Sequence, residues 1–314
     1  MSLSTLFLSS GDLIADRRYG WAQDRESQGD LPGAAELLEQ ALELTPDYAS
    51  AWFALGEIRE KLGDLGGAIA AFTKARESDP EDRHGALLNL MRLGVAAPAD
   101  MPQAYVRTLF DHYAANFDRA LTEGLNYQAP TLLLAAVEAA VRDMGRPAHL
   151  TAMLDLGCGT GLAGAAFRAK VDTLVGVDLS PKMIEAAKKK SIYDRLDVAD
   201  LLEFLVAEKA AGPKYDLIIA ADVFAYLPDL APVAATVGAV LASGGIFAFT
   251  VETHDGEGVA LGEALRFAHS AGHVRGAVKG VGLELLGLDS ASTRTEKGVP
   301  VPGLVVVAAR TGTA

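Results

Sequence analysis

Hydrophobic positions recur with two different periods along this 314-residue chain, and the change falls near residue 150. Before it, apolar and small residues return every three to four positions, the spacing of helices that bury one face. This predicts paired helices across residues 11–94, ending in a closing helix at 81–93, and two more helices at 105–117 and 129–141. Residues 95–103 carry Pro98 and Pro102 among small side chains and read as a linker. From residue 151 short apolar runs alternate with helical ones, the pattern of a parallel sheet covered on both faces. Strands are expected at 151–156, 173–177, 196–198, 215–220, 246–251, 283–288 and 304–309, the first five alternating with helices. Residues 293–302, polar and holding Gly298, Pro300 and Pro302, leave no room for a helix, so the last two strands should pair as an antiparallel hairpin. The expected layout is a helical-repeat region at 1–97, linker and helices at 98–150, and an α/β domain at 151–314.

Two segments of the first region match at a spacing of 34 residues. Trp52, Leu55, Gly56, Ala68, Phe72, Ala75 and Pro80 form one unit, and Ala22, Ala34, Leu38, Ala41 and Pro46 form the unit before it. Small residues let the two helices of a hairpin approach closely, and each proline closes one unit. This segment resembles a short array of tetratricopeptide (TPR) repeats. The resemblance implies either a face that binds a protein or a packing module, and oligomeric state is left open.

The predicted first strand runs into Asp155-Leu156-Gly157-Cys158-Gly159-Thr160-Gly161. Glycines there let the backbone turn tightly and bring main-chain N–H groups against a ligand without an obstructing Cβ. Asp178 ends the second strand, where a carboxylate can accept both hydroxyls of a ribose. Asp200 follows the third strand. In this order the elements resemble motif I and the succeeding acidic positions of the class I methyltransferases that use S-adenosylmethionine (SAM). The resemblance implies a seven-stranded Rossmann-like sheet, SAM as cofactor and S-adenosylhomocysteine (SAH) as product. It places the methionine end of SAM over Gly157, Cys158, Gly159 and Gly161, with Asp155 attracting the ammonium. Leu179 and Met183 would lie beside the adenine, Asp200 and the Leu201 amide near its amino group, and Ala221 near the transferred methyl. Residues 109–118 resemble the lid helix of many small-molecule methyltransferases, with Tyr113 and Phe117 one turn apart and facing inward. The whole pattern resembles bacterial SAM-dependent methyltransferases with N-terminal TPR repeats.

Other readings stay open. Gly159-Thr160-Gly161-Leu162-Ala163-Gly164 also satisfies the glycine spacing of NAD-dependent oxidoreductases, although Gly159 falls too far beyond the strand for that turn. A TPR scaffold with an idle SAM pocket is a further alternative. Two candidates for chemistry are Asp222, which can orient a nucleophile or take its proton, and His269, expected on a loop as a near-neutral base. His269 and His273 lack a carboxylate in ligand register, so no metal site is expected.

Composition narrows the acceptor. The 28 Lys and Arg against 41 Asp and Glu give a net charge of -13, which repels nucleic acid and anionic membranes. The one cysteine, Cys158, belongs to the glycine loop, so no separate thiol is available to attack a pyrimidine, and it fits a reducing, cytoplasmic location. There is no Asn-Pro-Pro-Tyr or Asp-Pro-Pro-Tyr segment of the kind used on exocyclic base nitrogens. No signal peptide or membrane span is expected. An oxygen or nitrogen of a small molecule leads as acceptor, with a protein docked on the repeats second.

Overall fold

The computed structural model describes residues 6–212 and 214–311. The chain forms two compact units: one runs to Leu109 and takes in Leu261–Leu265, the other runs from Phe110 to Ala260 and resumes at Arg266.

The first unit stacks α1 (Leu13–Ser27), α2 (Leu31–Leu44), α3 (Ala49–Lys61), α4 (Leu65–Ser78) and α5 (Ala86–Arg92). Its repeat is physical as well as sequential. Asp30 and Asp64, 34 residues apart, each cap a helix by accepting the N–H of Gly33 (3.0 Å) and Gly67 (2.9 Å). Ala22, Ala34, Leu38 and Ala41 in one unit, and Leu55, Ala68, Phe72 and Ala75 in the next, are all buried. Gly56 is small by necessity, because a Cβ there would lie 2.7 Å from the fully buried Phe72 ring. Gly56→Ala is therefore expected to destabilise this unit by about 1–3 kcal/mol through overpacking, seen as faster amide exchange in α3 and α4 with SAH binding unchanged. The closing helix is shorter than the expected 81–93. Asp82 and Gly85 both have positive φ, and the Asp82 carboxylate accepts the N–H groups of Ala86 (2.7 Å) and Leu87 (2.9 Å), so the helix can begin only at Ala86.

Helix α6 (Gln103–Tyr113) ends four residues short of the expected 105–117: Ala114–Asn116 form a 3₁₀ turn before the short α7 (Phe117–Arg119). Tyr113 and Phe117 therefore do not share one continuous helical face. After α8 (Ala129–Asp143) come β1 (Leu150–Leu156), α9 (Leu162–Phe167), β2 (Val171–Asp178), α10 (Pro181–Lys190), β3 (Arg195–Val198), α11 (Leu201–Lys209), β4 (Tyr215–Ala220), α12 (Ala231–Val240) and β5 (Leu241–Glu252). Then follow β6 (Val259–Leu261), β7 (Phe267–His269), α13 (Ala271–Gly280), β8 (Leu283–Ser290), β9 (Thr295–Glu296), β10 (Val299–Pro300) and β11 (Gly303–Arg310).

The main sheet has the order β3-β2-β1-β4-β5-β11-β8. Pairings from β3 to β5 are parallel, and β11 is antiparallel to both β5 and β8, so the expected closing hairpin is present. Four short strands were not anticipated. Two of them extend the main sheet: β7 adds to the end of β5 through Glu252 and Ala268, and β6 pairs with β7. The β9–β10 ribbon fills the polar stretch where no helix was expected.

Alternation through the strands builds two cores. Leu154, Leu156, Ile218, Phe247, Phe249 and Val306 point to the face covered by α11, α12 and α13. Met153, Leu217, Ile219, Ile246, Ala248 and Val305 point to the face covered by α8 and α9. A strand buried on both sides reads as a near-continuous apolar run, and that is why these strands were visible in the sequence. The reversal of direction between β1→β2 and β1→β4 opens a crevice at the carboxyl ends of β1, β2 and β4, where ligands of such sheets bind. Among the described residues no helix is long and apolar enough to cross a membrane.

Candidate functional site

The loop from β1 to α9 turns through three glycines with positive φ: Gly157 (61°), Gly159 (54°) and Gly161 (90°). A Cβ at Gly157 would meet Val223 at 2.6 Å and one at Gly161 would meet Tyr193 at 2.9 Å, so side chains are excluded on steric as well as conformational grounds. Cys158 is buried, its N–H bonded to the Val177 carbonyl (3.0 Å), and burial pushes its thiol well up, which makes it a packing residue of the loop.

Asp178 joins the loop to the second strand. Its Oδ2 accepts the Gly159 N–H at 2.9 Å and its Oδ1 the Ser180 N–H at 2.8 Å, leaving a further lone pair on each oxygen for a diol. Burial raises its carboxyl to about 6. Asp155 sits deeper, 1% exposed, with Oδ2 accepting from the Tyr193 hydroxyl at 2.7 Å and Oδ1 buried with no partner. Burial, and next the neighbouring Asp178, raise its carboxyl to about 7 against the Tyr193 hydrogen bond. Two carboxylates above their ordinary range, Asp155 buried and Asp178 half-buried, lie beside glycine N–H groups and form a site that gains from an incoming cation.

Asp200 caps α11, its Oδ1 accepting from Leu202 (2.9 Å) and Glu203 (3.1 Å), while Leu201 is half-buried beside it. Leu179 is half-buried before α10, and Met183 is buried in the first turn of that helix. Half-buried Tyr113 ends α6.

The segment after Leu109 is fastened to this loop by two aspartates. Asp111 accepts from the Ser180 hydroxyl (2.6 Å), and Asp118 accepts from the Thr160 hydroxyl and pairs with Lys190 (2.8 Å). Phe117 lies over the loop, 3.6 Å from where a Gly159 Cβ would be. Within the segment 109–118 read as a lid, the repeated Phe-Asp at 110–111 and 117–118 supplies both aspartates of the latch.

Beyond β4, Asp222 adopts positive φ (56°) and anchors a buried ionic cluster. Its Oδ1 accepts from the Thr250 hydroxyl (2.7 Å), and its Oδ2 from the Thr293 hydroxyl (2.9 Å) and Arg294 Nη1 (3.0 Å). Arg294 also pairs with Glu252 and Glu296, and Arg266 with the same two glutamates. Burial alone would raise Glu296, but the two guanidiniums hold its carboxyl below the usual range. Tyr127 and Tyr226, half-buried, lie near this cluster, and Tyr226 packs edge-on to Phe110 with ring centroids 5.3 Å apart. Neither Tyr127 nor Arg294 carried a sequence signal.

His269 departs from its expected place. It sits on strand β7, not a loop, with 0% exposure, and its Nε2 is 3.1 Å from the Phe224 carbonyl. Burial, first of all, lowers the imidazole to about 4 instead of leaving it near neutral. Among the described residues no cluster of three or more His, Cys, Asp or Glu is arranged to hold a metal ion.

Residues 154–247, which include the glycine loop, Asp155, Asp178, Asp200 and Asp222, match the family model described as a methyltransferase domain, and residues 19–83 match that of a tetratricopeptide repeat. The chain carries a methyltransferase domain and TPR repeats. The chain is 35% identical over 119 residues to human methyltransferase-like protein 27, covering 37% of this chain and 47% of that protein. It is 33% identical over 98 residues to a malonyl-[acyl-carrier protein] O-methyltransferase of Hamiltonella defensa, covering 31% of this chain and 36% of the relative. A ubiquinone biosynthesis O-methyltransferase of Methylobacterium is 27% identical over 124 residues, covering 38% and 50%. The chain thus spans about half or less of the length of these relatives. Within the methyltransferase domain, Gly164 has a structural reason other than a dinucleotide: a Cβ there would lie 2.2 Å from the Tyr193 hydroxyl.

Proposed function

We propose that this chain transfers a methyl group from SAM to an oxygen or nitrogen of a small-molecule acceptor. The observation that carries the reading is the glycine loop 157–161 held between Asp155 and Asp178, a carboxylate at each end of a cradle of main-chain N–H groups. The orphaned Oδ1 of Asp155 fits the ammonium of SAM, directly or through water, and the remaining lone pairs of Asp178 fit its ribose diol. Leu179, Met183, Asp200 and the Leu201 N–H are assigned to the adenine end, and Ala221 and Tyr113 to the surroundings of the methyl.

Bound there, SAM supplies an electrophilic methyl on a sulfonium, so the leaving thioether needs no acid. The chain's part is alignment and exclusion of water. The latch through Asp111 and Asp118 keeps Phe117 over the loop, and Asp222, fixed by Thr250, Thr293 and Arg294, orients the acceptor beside Tyr127 and Tyr226. His269 is left out of this assignment, because its ring has no exposed surface and its Nε2 is bonded to a carbonyl. The two relatives named as O-methyltransferases support an oxygen acceptor.

The TPR match favours a second reading, in which the repeats hold a protein that is itself methylated. Labelled methyl from SAM, followed into a host lysate separated by size, decides between them. Label in small molecules, lost with Asp178→Ala, is the expected result. Label in a protein, lost with the same variant, would favour the second reading, and no label in either fraction would overturn both.

A further inference from the structure

Tyr193 belongs to no motif in the sequence, yet four elements of the cofactor site converge on it. Its hydroxyl donates to Asp155 Oδ2 at 2.7 Å. Its side chain occupies the space a Cβ would need at three glycines: ring carbons at Gly161 in the loop (2.9 Å), Gly164 in α9 (2.5 Å, with the hydroxyl at 2.2 Å) and Gly176 in β2 (2.8 Å). The tyrosine is held from both sides. Ser191 ends α10 in a left-handed turn, and the Ile192 carbonyl accepts from Arg168 Nη1 at 3.1 Å. On the other flank, Asp194 Oδ2 accepts from Arg168 Nη1 and from the Leu174 N–H, each at 2.7 Å. With the backbone pinned before and after it, the ring is directed beneath the glycine loop.

We propose that Tyr193 is a positioning residue of the cofactor site, holding the Asp155 carboxylate by one oxygen so that the other, Oδ1, meets the ammonium at the amino-acid end of SAM. The three glycines are then the accommodation for its ring, and the third glycine of the apparent dinucleotide pattern is explained without a dinucleotide. This rests on the reading of Asp155 as the ammonium-binding carboxylate.

The role has a pH signature that packing alone does not. The groups acting on Asp155 are the Tyr193 hydroxyl, the Asp178 carboxylate, the Gly164 N–H, the Cys158 thiol and the more distant Tyr127 hydroxyl; none is a cation, and the Gly164 N–H is unchanged by substitution of Tyr193. The Tyr193 hydrogen bond favours the ionised carboxyl, and burial opposes it. Removing the hydroxyl must raise the carboxyl above its value of about 7 and weaken ammonium binding at neutral pH.

The test compares the full chain with Tyr193→Phe, which keeps the ring, by calorimetric titration of SAH and of 5′-methylthioadenosine between about pH 6 and 9. The second ligand lacks the amino-acid end and reports on the rest of the pocket. For the native chain, SAH affinity should rise with pH as Asp155 ionises. In the variant that rise should move up by about one pH unit, with SAH bound about fivefold more weakly at pH 7 and about tenfold more weakly near pH 6, while methylthioadenosine binds both proteins equally. The amino group of SAH titrates alike in both experiments and cancels. Identical SAH profiles would overturn the proposal, as would an equal, pH-independent loss for both ligands, which is the mark of packing. Failure of the native chain to bind either ligand would instead overturn the SAM reading.

Discussion

Asp178→Ala is expected to weaken SAH binding by about a hundredfold or more and to abolish methyl transfer, while leaving the chain folded. Hydrogen bonds to a charged acceptor contribute about 1.5–3 kcal/mol each, and two ribose hydroxyls lose theirs together. The same carboxylate also holds the loop, through Gly159 at 2.9 Å and Ser180 at 2.8 Å, so its removal frees the main chain that should cradle the ligand. Asp178→Asn should be nearly as damaging despite its similar shape. Both oxygens now face N–H donors, and an amide must turn its NH₂ towards one of them. Calorimetric titration with SAH, beside a thermal melt that confirms folding, measures this. Binding of SAH to Asp178→Ala within tenfold of the native chain would remove Asp178 from the cofactor site.

Arg294→Ala is expected to destabilise the second unit by about 3–5 kcal/mol, the usual cost of leaving buried charges without their partner. The guanidinium, 6% exposed, is the hub between Asp222, Glu252 and Glu296. Arg266 still reaches Glu252 and Glu296 without it, but Asp222 keeps only neutral hydroxyl partners, Thr250 and Thr293. Arg294→Lys should recover only part of the loss, because one ammonium cannot reproduce a fork that serves three carboxylates. The sign of the pH dependence follows. Carboxyls left without the guanidinium have raised folded-state pKa values, so the deficit should be small in mild acid, where they are protonated, and grow as the pH rises. Chemical denaturation at two pH values checks both points. A pH-independent deficit would mean that lost packing, not charge, is responsible.

Much of the molecule was fixed by short-range rules that the sequence displays. Apolar runs at 215–220 and 304–309 gave their strands because both faces of those strands are buried. The 34-residue repeat located the helical hairpins, with each capping aspartate and tight glycine recurring at that spacing. The glycine loop and the acidic ends of β1 and β2 were legible because a turn with positive φ and a carboxylate at a strand's end are local requirements. Where local rules compete with neighbours distant in sequence, the reading failed. Pairing with β5 drew β7, and His269 with it, into the sheet, where desolvation removed the neutral-range base expected of it; α5 was cut short by a local signal, the cap and positive φ at Asp82 and Gly85, that helical spacing alone does not display. Tyr193 meeting Asp155, 38 residues earlier, and Arg294 meeting Asp222, 72 residues earlier, are decided by packing alone. The sequence by itself determined the two kinds of architecture and the cofactor cradle, since helix, strand and turn preferences act over a few residues. Only the tertiary structure decided which side chains hold Asp155 and Asp222 in place, because a charge largely withdrawn from water takes its partner from whatever the fold brings within hydrogen-bond reach.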